Sequence, residues 1–312
     1  MSTIHPPNHL SLLIHRHHPH PQFNPPPTNK FLLSTMLLDL LDNTNTTTTL
    51  MAESIPNQTF NNFFESWIGE QNTHLQELIS AVNNNNNGGN EHNDDVNMIE
   101  LIERVVQHYE KYYKEKSEWE KRDAISMFTP RWRSNLEDAF LWIGGWRPTL
   151  AIHLLYSKSG LQLEAKLGDL IRGITTGDLG DLSPDQIKRI DELQMKTIHE
   201  ERVLTEKLAK VQESVADRSM VELSNMVSEM MRNEDEGGDG DGVSEERVEL
   251  TLEMKKEEME ELLHMADDLR LKTLKAVIEI LTPVQGVHFL IAAAELHLRL
   301  HEWGKKRCQR PQ

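Results

Sequence analysis

Two histidines near the end of the sequence, His297 and His301, have the spacing of a ligand-binding pair. Residues four apart on a helix stack on one face, so both imidazoles would reach a shared ligand. Gly286, Leu290 and Ala293 fall on the same face. A small, apolar surface beside two imidazoles suits a flat cofactor such as haem, held by an axial nitrogen. It also suits a close contact with a second helix, with the histidines hydrogen-bonded at its rim, and spacing alone favours this packing.

A second group of residues is the segment 142–148, Trp-Ile-Gly-Gly-Trp-Arg-Pro. The paired glycines are predicted to end one helix, and Pro148 to begin the next. Trp142 and Trp146 would then pack at the corner between the two helices. Alternatively, Trp142, Trp146 and Arg147 would anchor a partner protein, because aromatic and arginine side chains dominate binding energies at interfaces. The packing interpretation is the stronger of the two.

The acidic segment after residue 232 resembles an EF-hand loop only in part. Asp235, Asp239, Gly240 and Glu246 match its pattern, but Gly237 stands where an oxygen ligand is needed. We therefore expect a solvated acidic linker and no metal site. The sequence contains no Walker loop, dinucleotide fingerprint, HExxH motif or paired-cysteine zinc pattern. We expect that the protein is not an enzyme.

Charge and apolar content restrict the classes of partner. The formal net charge is −17, with 50 acidic against 33 basic side chains, so the surface repels nucleic acid unless a local basic patch exists. The apolar runs Phe31–Leu41 and Val287–Ala294 are too short or too interrupted to cross a bilayer. Cys308 is the single cysteine, which fits a reducing compartment. We predict a soluble intracellular protein.

Apolar residues recur at three- and four-residue spacing along most of the chain, which predicts an all-α helical bundle of long and short helices. Two helix starts are well marked, at Ser183-Pro-Asp-Gln and Thr282-Pro-Val-Gln. Each places a hydroxyl at the N-cap, proline at the first helical position and glutamine at the third. The second of these helices is predicted to stop at Gly304.

Composition divides the chain into regions. Residues 1–56 form a His-, Pro- and Thr-rich extension that is predicted to be disordered, because such tracts bury too little apolar area to offset ordering entropy. Residues 57–306 form the helical domain, which includes a disordered acidic loop at 233–246. Residues 307–312 form a tail.

Several stretches, taken in order, resemble the domain that Delay-of-Germination proteins share with the C-terminal half of TGA bZIP transcription factors. The stretches are 60–67, 142–148, 182–193, 266–274, 281–286 and 296–304. The last of them, Leu-His-Leu-Arg-Leu-His-Glu-Trp-Gly, is closer to the Delay-of-Germination members. The resemblance covers about residues 57–306 and implies a helical plant regulator.

The resemblance implies a role in seed dormancy, seed maturation or abscisic acid response, in the nucleus and also in the cytoplasm. It implies protein partners such as type 2C protein phosphatases or TGA-type factors, and haem bound at His297 and His301. The alternatives are a TGA-related transcription regulator with sequence-specific DNA binding, or a haem-binding sensor. Direct DNA binding is disfavoured because residues 1–56 hold two Lys/Arg and no leucine heptads. Calmodulin is a further candidate partner, through the basic amphipathic segment 296–307.

Overall fold

The computed structural model of the chain describes residues 49–86, 91–168, 172, 177–233 and 241–308. The described residues form α-helices and short 3-10 turns, and no β-strand occurs among them, so the predicted all-α class is confirmed. Residues Met51–Gln312 group into one compact unit. No described helix is long and apolar enough to cross a membrane. Residues 1–48 of the predicted extension lie outside the described part.

The helices differ widely in length. They are α1 (Thr49–Asn86), α2 (Glu91–Glu120), α3 (Ala124–Phe128), α4 (Asn135–Asp138), α5 (Thr149–Ala165), α6 (Pro184–Glu213), α7 (Arg218–Asn233), α8 (Asp241–Ile280) and α9 (Pro283–Cys308). Short 3-10 turns precede and follow α6, at Leu179–Asp181 and Ser214–Ala216.

Both predicted helix starts are confirmed, and they contact each other. The Ser183 hydroxyl accepts from the Gln186 N–H at 3.2 Å, and Gln186 Oε1 accepts from the Ser183 N–H at 3.0 Å. The same reciprocal pair joins Thr282 and Gln285. Gln186 Nε2 also donates to Gln285 Oε1 at 2.7 Å. The two capping boxes therefore fix the first turns of α6 and α9 side by side.

Helix α8 is the central element of the bundle. It packs against α2, α3, α5, α6 and α7, while α9 packs against α2, α4 and α5. Helices α2 and α8 run antiparallel, because Lys275 pairs with Glu110 at 2.5 Å and Asp267 pairs with Lys116 at 2.5 Å further along α2. Large side chains from all of the long helices except α7 fill the space between them. Fully buried examples are Phe60, Phe64, Leu78, Ile152, Leu155, Ile190, Leu263 and Phe289.

Three boundaries differ from the sequence-based prediction. Helix α1 begins at Thr49, inside the predicted extension 1–56. Helix α8 begins at Asp241 and so occupies the last part of the predicted linker 233–246, whereas 234–240 lie outside the described residues. The helix that Pro148 is predicted to begin starts one residue later, because α5 runs from Thr149 to Ala165 with Pro148 at its N-cap.

The stop predicted at Gly304 is wrong, because α9 continues to Cys308. Gly304 is buried, and a Cβ atom added there would lie 2.7 Å from Ser134 Cβ. Glycine at this position therefore allows the helix to approach the N-cap of α4 closely. A glycine that serves packing cannot be distinguished by sequence from one that ends a helix.

Candidate functional site

The segment 142–148 forms a tight two-residue turn between α4 and α5. The Trp142 N–H donates to the Gly145 carbonyl at 2.7 Å, and the Gly145 N–H donates back at 3.2 Å. The central residues Ile143 and Gly144 have φ angles of 46° and 65°. Two consecutive left-handed residues define a type I′ turn. Ile143 is strained there, because a β-branched side chain disfavours positive φ.

Arg270, on α8, binds the backbone of this turn. Its side chain is completely buried and donates hydrogen bonds to the carbonyl oxygens of Trp142, Ile143 and Trp146. The guanidinium also pairs with Asp267. A Cβ atom at Gly145 would lie 2.7 Å from the Arg270 Cζ atom, so the glycine leaves room for the guanidinium. The paired glycines of the motif therefore allow an arginine to bind the turn backbone.

A buried charge cluster extends from Arg270 to α2. Asp267 lies between Arg270 and Lys116, whose Nζ atom is 2.5 Å from Asp267 Oδ2 and 3.2 Å from Glu120 Oε1. Burial raises the pKa of Asp267, but the two cations outweigh that effect and hold it below its usual value. Burial raises the pKa of Glu120 to about 7, against the opposing charge of Lys116. The cluster thus joins α2, α8 and the turn by charge-assisted bonds.

The two tryptophans of the motif point into the bundle. Trp142 is 8% exposed and donates through Nε1 to the Thr205 hydroxyl at 3.1 Å. Trp146 is partly buried and donates to the Tyr113 hydroxyl at 2.8 Å. This is the packing that the sequence favoured for the pair. Their contact with a partner protein stays a prediction.

Arg147 is the exposed residue of the motif, yet it also makes a structural bond. Its Nε atom donates to Glu201 Oε2 at 2.6 Å, and the Thr149 N–H donates to Glu201 Oε1 at 2.7 Å. Glu201 is 1% exposed. A single buried carboxylate of α6 thus caps the positive N-terminal end of α5 and binds the arginine that precedes it.

The histidine pair lies where α9 packs against α1 and α4. His301 is 5% exposed, and its Nδ1 atom lies 3.0 Å from Glu137 Oε1. Its ring meets Phe64 edge-on at 5.6 Å, and the buried Nε2 atom has no hydrogen-bond partner in the structure. His297 is partly buried, with its ring 5.6 Å from that of Trp67. The sequence predicted the shared face but not the carboxylate.

Charges and burial set the protonation of this region. Burial raises the pKa of Glu137, but hydrogen bonds from His301 and Ser134 outweigh it and lower the pKa to about 2. Burial lowers the pKa of His297 to about 4, helped by the charge of Arg133. A neutral His297 ring at physiological pH follows from these values.

A third histidine, His108, lies near the pair in a row of aromatic rings between α1, α2 and α9. Trp67 stacks on His108 at 4.5 Å and faces His297 on α9. His108 is 4% exposed, and burial together with the charge of His74 lowers its pKa to about 4. No group of three or more His, Cys, Asp or Glu residues in the described part of the chain could hold a metal ion. Asp235, Asp239 and Gly240 of the rejected EF-hand pattern lie outside that part.

Comparison with known proteins shows which family the chain resembles. A family model described as "DOG1: Seed dormancy control" matches residues 74–157. Protein DOG1-like 3 of Arabidopsis thaliana is 33% identical over 251 residues, which cover 78% of this chain and 83% of that protein. The chain belongs to the DOG1 family. Protein RESPONSE TO ABA AND SALT 1 of the same plant is 27% identical and is covered over its whole length, with 83% of this chain aligned.

The same domain occurs in longer DNA-binding proteins. The TGACG-sequence-specific DNA-binding protein TGA-2.1 of Nicotiana tabacum is 27% identical over 249 residues, which cover 80% of this chain but 46% of that protein. The resemblance to TGA factors is therefore confirmed for this DOG1-family chain.

We predict that Arg270→Met destabilises the DOG1 fold by about 3–5 kcal/mol, because it leaves three turn carbonyls and Asp267 without their buried partner. Urea unfolding followed by circular dichroism measures the change. Arg299→Met is the matched control, since Arg299 makes an exposed pair with Glu302, and it should shift stability by less than about 1 kcal/mol. Equal shifts for the two variants would contradict the role of Arg270.

His108 and His297 should lower stability as pH decreases from about 6.5 to 4, while Glu120, whose pKa is raised to about 7, acts in the opposite direction. The pKa values of His108 and His297 are both lowered to about 4, so the unfolded chain binds protons first over this range. Between pH 7 and pH 5 each histidine should contribute a loss on the order of 2 kcal/mol. Urea unfolding at the two pH values tests this. His108→Gln should reduce the pH dependence, whereas His264→Gln, at an exposed position, should leave it unchanged.

Proposed function

We propose that this chain is a regulator of seed dormancy, seed maturation or abscisic acid response that acts by protein–protein contact and not as an enzyme. The observation that carries the proposal is membership of the DOG1 family over most of the chain. The similarity to a protein named for its response to abscisic acid and salt supports the hormone link. The chain would act in the nucleus and also in the cytoplasm.

The packing of the charged groups supports a non-catalytic role. Arg270, Asp267 and Lys116 pair with one another or with backbone carbonyls, and Glu201 caps a helix. The bonds of these four buried groups are those of a scaffold. Type 2C protein phosphatases and TGA-type factors are the partners we propose, and calmodulin is a further one. Direct reading of DNA is disfavoured by the net charge of −17.

A germination experiment tests the dormancy role. Plants that lack this chain should produce fresh seed that germinates earlier and tolerates more abscisic acid than wild-type seed. The Arg299→Met chain should restore the wild-type response, whereas Arg270→Met should restore it poorly because less of it is folded. Unchanged dormancy and hormone response in the loss-of-function seed would refute the proposal. Co-elution of purified chain with each candidate partner tests the partner classes separately.

A second candidate is a haem-responsive regulator, favoured by one observation at His301. A ligating histidine commonly bonds a carboxylate through one nitrogen and leaves the other for the metal. His301 has this arrangement, with Nδ1 at Glu137 and Nε2 without a hydrogen bond, 3.9 Å from Glu65 Oε1. His297 would supply a second neutral imidazole. When bound, haem would supply an iron centre that responds to redox state or to small ligands.

The donors fit haem, but the space beside them is filled. Phe64 and Trp67 on α1 pack against the rings of His301 and His297, so haem binding requires these aromatic side chains to move. Titration of the purified chain with hemin should then give a Soret shift that is lost in His297→Ala/His301→Ala. His264→Ala serves as the exposed control, and circular dichroism checks that each variant is folded. Equal spectra for wild type and the double variant would exclude the pair as ligands.

A further inference from the structure

An apolar groove runs between α2 and α8 on the outside of the bundle. Its volume is about 320 Å³. Ile102, Val106 and Ile278 form its floor, and Glu103, Gln107, Glu110, Lys275 and Glu279 form its rim. This groove is separate from the histidine pair and from the turn that Arg270 binds.

The floor of the groove packs closely against α9 at Gly286. A Cβ atom at Gly286 of α9 would meet Ile102 Cδ1 at 3.0 Å and Ile278 Cδ1 at 3.9 Å. The close approach of α9 therefore holds both isoleucines in place. Val106 and Ile278 are also packed against the main core. A preformed floor lowers the ordering cost of binding.

The groove continues along α2 as an exposed apolar stripe. Val96 and Ile99 are 45% and 44% exposed. Together with Ile102 and Val106 they recur at three- and four-residue spacing, which places all four side chains on one face of the helix. An exposed β-branched stripe next to a groove enlarges the surface on which a second helix can pack.

The charges around this surface are mostly negative. Glu103, Glu110 and Glu279 line the groove, and the exposed Asp95 precedes Val96 at the start of the stripe. Lys275 is the basic side chain among the groove residues. Lys275 is already paired with Glu110 at 2.5 Å. The net charge of this set is therefore −3, from four carboxylates and one ammonium group. A basic partner would be attracted and an acidic one repelled.

We propose that the α2–α8 groove binds a basic amphipathic helix of a partner protein. The groove lies between two antiparallel helices, and an amphipathic helix places apolar residues at three- and four-residue spacing along such a surface. Its leucine-type side chains contact Ile99, Val106 and Ile278, and its lysines or arginines face Glu103 and Glu279. The inference deepens the proposed function, because it rests on the chain acting through protein contacts.

A designed peptide tests the groove directly. The probe is a fluorescein-labelled helix of about 18 residues, with leucines at one face and lysines beside them, and its comparison peptide carries glutamates in place of the lysines. Fluorescence anisotropy with the full chain should show binding of the lysine peptide and none of the glutamate peptide. Glu103→Lys/Glu279→Lys should weaken the binding at least about tenfold, and the loss should shrink at high salt.

Two further variants separate groove binding from general charge attraction. Glu257→Lys/Glu261→Lys makes the same change of charge at exposed positions elsewhere on α8, and it should alter affinity by less than about twofold. Ile99→Ser, at a half-exposed position, should weaken binding at high and low salt alike. Circular dichroism checks that each variant is folded. We expect all of them to fold, because the changed side chains are exposed.

Three outcomes would overturn the proposal. They are absence of binding by wild type, equal weakening by both charge reversals, and a wild-type dimer in sedimentation that Glu103→Lys/Glu279→Lys dissociates. The last result would assign the groove to a second copy of this chain, whose α9 ends in Lys305, Lys306 and Arg307. If this test fails while seed that lacks the chain still germinates early and tolerates more abscisic acid, the groove is rejected and the proposed dormancy role stands.

Discussion

A single buried arginine determines how the parts of this bundle fit together. The turn between α4 and α5 directs three carbonyl oxygens to one point, and that of Trp142 also accepts from the Gly145 N–H. A guanidinium carries five N–H donors in a rigid plane, so one Arg270 side chain can satisfy several of them at once. Its own charge is balanced by Asp267, which Lys116 also contacts. Loss of this side chain would leave the Ile143 and Trp146 carbonyl oxygens without their arginine donor and Lys116 as the cation that remains beside Asp267.

Local signals in the sequence were sufficient for the helical class and for two helix starts. The capping patterns at Ser183 and Thr282 depend on residues three apart, so they can be recognised from the sequence alone. The Gly304 prediction failed because the reason for that glycine, the approach of Ser134, is a contact between distant segments. The sequence alone does not distinguish a glycine that ends a helix from one that allows another segment to pack closely.

At the candidate sites too, contacts between residues close in sequence could be predicted, and contacts between distant residues could not. The four-residue spacing of His297 and His301 revealed a shared helix face. Glu137, which binds His301, is 164 residues away in the sequence and carries no signal that links it to that histidine. Arg270 was hidden for a related reason, since its spacing from Asp267 is that of an ordinary solvated pair on a helix. The family motif marked the turn but not the residue that holds it.

The ion pair between Lys116 and Asp267 also has a consequence for how the chain is made. The two residues are 151 positions apart, so the contact cannot form until most of the polypeptide has left the ribosome. Contacts of such long separation slow folding, because chain entropy is lost before they form. Until α8 emerges, Lys116 lacks Asp267, whereas the aromatic side chains of α1 already have partners on α2. The buried charge cluster should therefore form late, after the first half of the chain has been made.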